Sequence, residues 1–171
     1  MTDAFSQLAL DPRLLETLTA IGHTTPTPVQ SAVIPAMLSG QDIIGQSRTG
    51  TGKTAAFALP ILHNMVPNQR SVQALVVTPT RELAMQVAQA IRTYGRGYGV
   101  KVLPIYGGEP YHGQIKNLKK GTDIVVGTPG RLLDLINKKV LKLGDVSTVV
   151  LDEADEMLGL GFIGDVEAIL E

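Results

Sequence analysis

Ser47-Arg48-Thr49-Gly50-Thr51-Gly52-Lys53-Thr54 is the stretch on which the reading of this chain turns. Small and glycine residues run into Gly-Lys-Thr directly after the apolar pair Ile43-Ile44, and Ala55-Ala56-Phe57-Ala58-Leu59 follows as a helix candidate. A strand, a glycine-rich loop and a helix start together form a phosphate cradle. The glycines expose backbone N–H groups, and the helix N-terminus adds partial positive charge. In such a loop Lys53 reaches the terminal phosphates and Thr54 holds Mg²⁺. Nucleotide binding is therefore the first expectation.

Working outward, short apolar runs alternate with helical patterns. The strands expected are Asp42 to Gly45, Ala74 to Thr78, Lys101 to Ile105, Ile124 to Gly127 and Thr148 to Leu151. They are rich in Val, Ile and Leu, as strands buried on both faces are. Asp11-Pro12 and Thr27-Pro28 each place a capping residue before a proline, opening helices over Arg13 to Ala20 and Val29 to Leu38. Further helices are expected over Lys53 to Asn64, Arg81 to Tyr94, Tyr111 to Lys119, Gly130 to Asn137 and Ile163 to Leu170. This alternation argues for an α/β fold with a mainly parallel sheet and helices on both faces. Ligands then bind beyond the carboxyl ends of the strands. The polar stretches fall there: the glycine-rich loop, Pro79-Thr80-Arg81-Glu82, Tyr106-Gly107-Gly108, Thr128-Pro129-Gly130-Arg131 and Asp152-Glu153 each follow one expected strand.

Composition narrows the partners. The 171 residues suit one domain, 1–171, with a real core. There is no cysteine, hence no disulfide framework and no cysteine zinc site. The N-terminus lacks the basic and apolar regions of a signal peptide. No apolar run approaches the ~20 residues of a membrane span, so a cytoplasmic, soluble domain is expected. The formal net charge is −1, and a chain binding nucleic acid by bulk attraction would be basic. Any RNA or DNA must be held by backbone donors and a few placed side chains. The basic stretches Lys116 to Lys120 and Lys138 to Lys142 read as solvated faces. His23, His63 and His112 are isolated and are not metal ligand candidates.

Val149-Val150-Leu151-Asp152-Glu153-Ala154-Asp155 is an apolar strand ending in carboxylates. Mg²⁺ bound with a nucleoside triphosphate needs few protein ligands, and one carboxylate at a strand end complements Thr54. Asp152 fits that task. Glu153 suits orienting or deprotonating a water that attacks the γ-phosphate. Taken alone, this stretch also reads as an acidic helix start.

With these motifs in order, the chain resembles the first RecA-like domain of a DEAD-box RNA helicase. Asp152-Glu153-Ala154-Asp155 spell the family name. Ser47 to Thr54 resembles motif I, Pro79 to Ala84 motif Ia, Gly107-Gly108 the glycine doublet and Thr128 to Arg131 motif Ib. Gly22 to Gln30 resembles the Q motif, with Phe5 as its isolated upstream aromatic. Three positions depart from the usual pattern: Ser47 stands for Ala or Gly, His23 for an aromatic residue and Val29 for Ile.

The resemblance implies a RecA-like P-loop NTPase domain of three αβα layers, and ATP and Mg²⁺ as cofactors. It implies that Phe5, Gln30, Ser47, Arg48, Thr49, Gly50, Thr51, Gly52, Lys53 and Thr54 hold the nucleotide. Gln30 would read the adenine edge through its amide. Thr54 and Asp152 would hold the metal, with Lys53, Asp152 and Glu153 carrying catalysis and Asp155 tying the acidic turn to its neighbours. Pro79, Thr80, Arg81, Gly107, Gly108, Thr128, Pro129, Gly130 and Arg131 would contact RNA sugar and phosphate, without reading sequence. Thr80 and Thr128 can cap the helices they precede, and Arg81 and Arg131 can add charge-assisted bonds. Helix capping, and an ion pair within the domain between an arginine and a nearby acid, is the competing structural expectation for these residues, Arg81 and Glu82 among them.

The family continues with a Ser-Ala-Thr motif and a second RecA-like domain, which this sequence does not contain. The second domain supplies arginines that complete the ATP site, and an arginine finger is worth roughly 10³–10⁵ in rate. The expectation is thus an ATP-dependent RNA helicase in the whole protein and almost no hydrolysis by this chain alone. The Ser-Ala-Thr strand of the family lies between the phosphate-loop strand and the acidic strand, so those two are expected to lack ladder partners. A catalytically silent nucleotide-binding module is the alternative. An unrelated P-loop kinase or GTPase leaves the Q-motif and RNA-loop resemblances unexplained.

Overall fold

The computed structural model describes residues 4–47 and 52–171. The chain divides into two compact units, Met1–Pro67 with Ala90–Gly99, and Asn68–Gln89 with Val100–Glu171.

The first unit is helical. A 3₁₀ turn over Ala4–Leu8 buries Phe5. Helix α1 (Pro12–Ala20) starts where Asp11 Oδ1 accepts the Arg13 N–H at 2.9 Å, and Pro12 supplies the first-turn φ. Its buried residues, Leu14 and Leu18, lie one turn apart on a single face. The N–H of Asp11 itself donates to His63 Nδ1 at 3.0 Å, joining the start of α1 to the end of α3 (Lys53–His63). Helix α2 (Pro28–Leu38) opens with a capping box: the Gln30 N–H donates to Thr27 Oγ1, and the Thr27 N–H donates to Gln30 Oε1 at 2.9 Å. Helices α2 and α3 pack together.

The second unit holds a four-stranded, all-parallel sheet in the order β2-β3-β1-β4, made of β1 (Ala74–Val77), β2 (Val102–Ile105), β3 (Ile124–Gly127) and β4 (Thr148–Leu151). Every residue of β1 and β3 is buried, as the unbroken apolar runs require. Helices α5 (Tyr111–Lys120), α6 (Pro129–Asn137), α7 (Ala154–Gly159) and α8 (Ile163–Leu170) belong to this unit. The core joins Leu75, Val77, Ile105 and Val125 of the sheet to Leu132, Leu135, Met157 and Val166 of the helices. Helix α4 (Arg81–Tyr94) follows β1 and contributes residues to both units.

One expected strand is absent. Residues 41–47 form no regular structure, and Ile44 is 96% exposed. A strand exists through its ladder, and no described residue pairs with Asp42 to Gly45. Strand β4 is an edge strand, bonded to β1 on one side, with Val149 and Leu151 partly exposed. Helix α7 begins at the acidic turn, where the sequence also reads as an acidic helix start. It is a short element opened from the acidic turn rather than from a capping residue.

Candidate functional site

The four strands run parallel and in register: Val77 sits beside Gly127 and Leu151, and Gly127 beside Ile105. Their carboxyl ends therefore lie along one edge. Pro79-Thr80-Arg81, Tyr106-Gly107-Gly108, Thr128 to Arg131 and Asp152-Glu153 all leave from that edge.

In the first unit, Lys53 and Thr54 are half-buried and open α3, whose N-terminal end carries partial positive charge. Gly52 precedes them with φ +81°, a left-handed conformation. A Cβ at Gly52 would lie 2.3 Å from Gln30 Nε2, so this turn has to stay bare backbone. An ammonium, a hydroxyl and the positive end of a helix suit a polyanion such as a triphosphate. Ser47 is exposed, while Arg48, Thr49, Gly50 and Thr51 lie outside the described residues. Gln30 is only 4% exposed, and its amide is engaged at both ends. Besides accepting from Thr27, it donates from Nε2 to the Gly52 carbonyl at 3.1 Å. The side chain expected to read adenine thus also ties the Q-motif segment to the foot of the phosphate loop. An amide has one further donor and one further lone pair after those bonds.

In the second unit, Asp152 is buried, and its N–H donates to the Val77 carbonyl at 2.9 Å, extending the β1–β4 ladder by one residue. Glu153 has φ +53° and ψ +51°. A non-glycine residue costs about 1–2 kcal/mol there, and strain of this kind gathers at functional turns.

Thr80 caps α4 as expected, its Oγ1 accepting the Leu83 N–H at 3.2 Å. Thr128 does not cap α6 with its side chain. Pro129 at the first helical position has no N–H to satisfy and pre-sets φ, so the helix starts without that bond.

Both candidate RNA-contacting arginines are engaged within the unit. Arg81 Nη2 donates to Glu109 Oε1 at 3.1 Å, and its guanidinium carbon lies 4.7 Å from the centre of the Tyr106 ring. The acid partner of Arg81 is Glu109, directly after the glycine doublet. Arg131 Nη1 donates to the Glu109 carbonyl at 2.9 Å and to Gln114 Oε1 at 3.0 Å, with its guanidinium carbon 4.0 Å from the Tyr111 ring centre. Lys138 Nζ is 4.2 Å from the same centre. The Tyr111 hydroxyl donates to Asp134 Oδ2, and that bond to a carboxylate pushes the phenol pKa up. Glu109, Tyr111 and Gln114 thus hold the two candidate arginines, and the sequence reading did not single them out. An acid directly after a glycine doublet, with an aromatic two positions on, was the available signal.

A parallel α/β sheet with its polar motifs gathered at the strand carboxyl ends defines the class of open-sheet ligand-binding proteins. Within that class, the chain belongs to the DEAD/DEAH box helicase family, whose model matches residues 27–171. It is 54% identical over 166 residues to the DEAD-box ATP-dependent RNA helicase CshA of Bacillus cereus (strain ATCC 10987 / NRS 248), covering 97% of this chain and 32% of the relative. The Bacillus subtilis (strain 168) helicase of the same name is 49% identical over 170 residues, covering 99% of this chain and 34% of that protein. The chain therefore spans about a third of the length of these curated relatives. The crystal structure of a DEAD box protein from the hyperthermophile Methanococcus jannaschii superposes with a TM-score of 0.94 at 46% identity, covering 98% of this chain and 46% of that one. A hypothetical ATP-dependent RNA helicase from Sulfolobus tokodaii gives a TM-score of 0.85 at 45% identity, over 94% of this chain and 46% of that one. The fold is the RecA-like α/β fold of these proteins.

Proposed function

We propose that this chain is a single RecA-like ATP-binding domain, 1–171, of an ATP-dependent RNA helicase that acts on short duplexes in the cytoplasm. The observation that carries the reading is the gathering of motif Ia, the glycine doublet, motif Ib and the acidic turn at one sheet edge. The relatives named above, DEAD-box ATP-dependent RNA helicases, support it.

In this reading Ser47 to Thr54 receives the phosphates. Lys53 supplies positive charge and the α3 N-terminus supplies N–H donors. Gln30 turns its remaining amide valences to the adenine, and Phe5 anchors the segment that leads to it. Thr54 and Asp152 are the residues for Mg²⁺, which when bound neutralises phosphate charge. Glu153 holds the attacking water and accepts its proton. Pro79, Thr80, Arg81, Gly107, Gly108, Thr128, Pro129, Gly130 and Arg131 take the sugar-phosphate backbone of one RNA strand, which carries no base information. A second RecA-like domain of the same protein is the partner that completes both sites. ATP and RNA then shift the population between open and closed pairs of domains.

The test is adenine nucleotide affinity for the chain, for Lys53→Ala and for Gln30→Ala, with a thermal melt of each because Gln30 also caps α2. Loss of binding in both folded variants is expected. Unchanged binding in both overturns the assignment. Adding a second RecA-like domain should restore RNA-stimulated hydrolysis, and its failure to do so favours a silent nucleotide-binding module.

A further inference from the structure

Glu109 stands where an incoming RNA phosphate is expected, directly after Gly107-Gly108 and beside Arg81. Its carboxylate takes the Arg81 Nη2 donor at 3.1 Å, across 28 positions of sequence. We propose that Glu109 is an internal stand-in for an RNA phosphate: it holds Arg81 in the unliganded chain, and the strand must displace it. Glu109 thereby sets how tightly, and with what salt dependence, this face takes RNA. The inference rests on the RNA-contacting role proposed above for Arg81.

Three features make the exchange feasible. First, a guanidinium fork accepts a carboxylate and a phosphate with the same geometry. A phosphate can therefore take the carboxylate's place without moving Arg81, whose guanidinium already rests over Tyr106. Second, the two side chains are 46% and 41% exposed. Separating them strands no buried charge, and half-exposed pairs of this kind are weak. A fully buried pair would resist exchange. Third, Glu109 is held in place by its main chain. Arg131 donates to its carbonyl at 2.9 Å while bonded to Gln114 and stacked against Tyr111. The carboxylate is thus presented to Arg81 by a braced loop, and one residue links both arginines of the face.

The exchange changes what RNA binding releases. A phosphate that meets an unpaired arginine displaces counterions, and each such contact adds about 0.7 to the salt slope for a single strand. A phosphate that displaces Glu109 exchanges one anion for another at Arg81, and that contribution is lost.

The test is binding of a fluorescein-labelled oligouridylate to the chain by fluorescence anisotropy over a salt series. The variants are Glu109→Gln, Arg81→Ala and the double substitution. Glu109→Gln should bind roughly two- to fivefold tighter at low salt, the factor expected for releasing a half-exposed ion pair. Its plot of log affinity against log salt should steepen by about 0.7. The gain should vanish in the Arg81→Ala background, because the carboxylate then has no guanidinium to occupy. Equal or weaker binding by Glu109→Gln overturns the inference alone. So does a gain that persists without Arg81, which marks general removal of a negative charge. No binding by any variant overturns the RNA-contacting reading, and this inference falls with it.

Discussion

Replacing Gly52 with alanine should break the join between the Q-motif segment and the phosphate-loop turn. Gly52 has φ +81°, where a residue with a Cβ costs about 1–2 kcal/mol. The new Cβ would sit 2.3 Å from Gln30 Nε2 and 3.2 Å from Thr27 Cγ2. Gln30 cannot simply swing away. It is buried, its Oε1 completes the α2 capping box, and its Nε2 bonds the Gly52 carbonyl. Driving it out leaves buried polar groups unpaired, at about 1–3 kcal/mol. Together these effects put the loss on the order of 3 kcal/mol. For a chain of this size that corresponds to a fall in Tm of roughly 6–12 °C. Urea titration followed by circular dichroism measures it, and a second substitution isolates the cause. In a Gln30→Ala background the alanine at 52 meets no amide, so only the backbone cost should remain. Gly52→Ala losses that agree in the two backgrounds within about 0.5 kcal/mol would refute the steric coupling.

Gly127→Ala should cost about 1–3 kcal/mol by overpacking, because a Cβ there lies 2.7 Å from both the Ile105 carbonyl oxygen and Leu132 Cδ2. Urea midpoints measure it, and an unchanged midpoint would count against the packing described. Thr80→Ala should lose about 1 kcal/mol with its cap, whereas Thr128→Ala should stay within about 0.5 kcal/mol of the parent, since Thr128 makes no side-chain cap. Equal losses from the two would contradict that difference. The Asp11 carboxylate is held at about 2, below the ordinary 3.8, chiefly by side-chain and backbone hydrogen bonds from Arg13. A depressed carboxylate stabilises the fold above its ordinary value, and that contribution disappears as pH falls from about 4 through about 2. Arg13 is 54% exposed, so the energy involved is small. NMR titration should place the Asp11 midpoint near 2 and move it toward 3.8 in Arg13→Ala, and a parent midpoint near 4 would refute it.

Much of the fold was legible from sequence. Strands β1 to β4 fall within one residue of the apolar runs that announced them, and α4 and α8 match the expected spans. Buried parallel strands are continuous runs of branched residues, and helix starts carry their caps, so both signals lie within a few positions of the chain. The motif order was legible for the same reason. Asp42 to Gly45 shows where this stops, because an apolar run becomes a strand only when a neighbour completes its ladder.

The amino-acid sequence by itself determined the spans of β1 to β4, α4 and α8 and which polar motifs follow each of those strands, since propensity, capping and periodicity act locally. Only the tertiary structure decided the order β2-β3-β1-β4, the burial of Gln30 beneath Gly52, the left-handed turn at Glu153 and the pairing of Arg81 with Glu109. Those features join positions far apart in the chain or depend on the backbone that the sheet imposes. They follow from which surfaces meet in space, and no local pattern of residues encodes that.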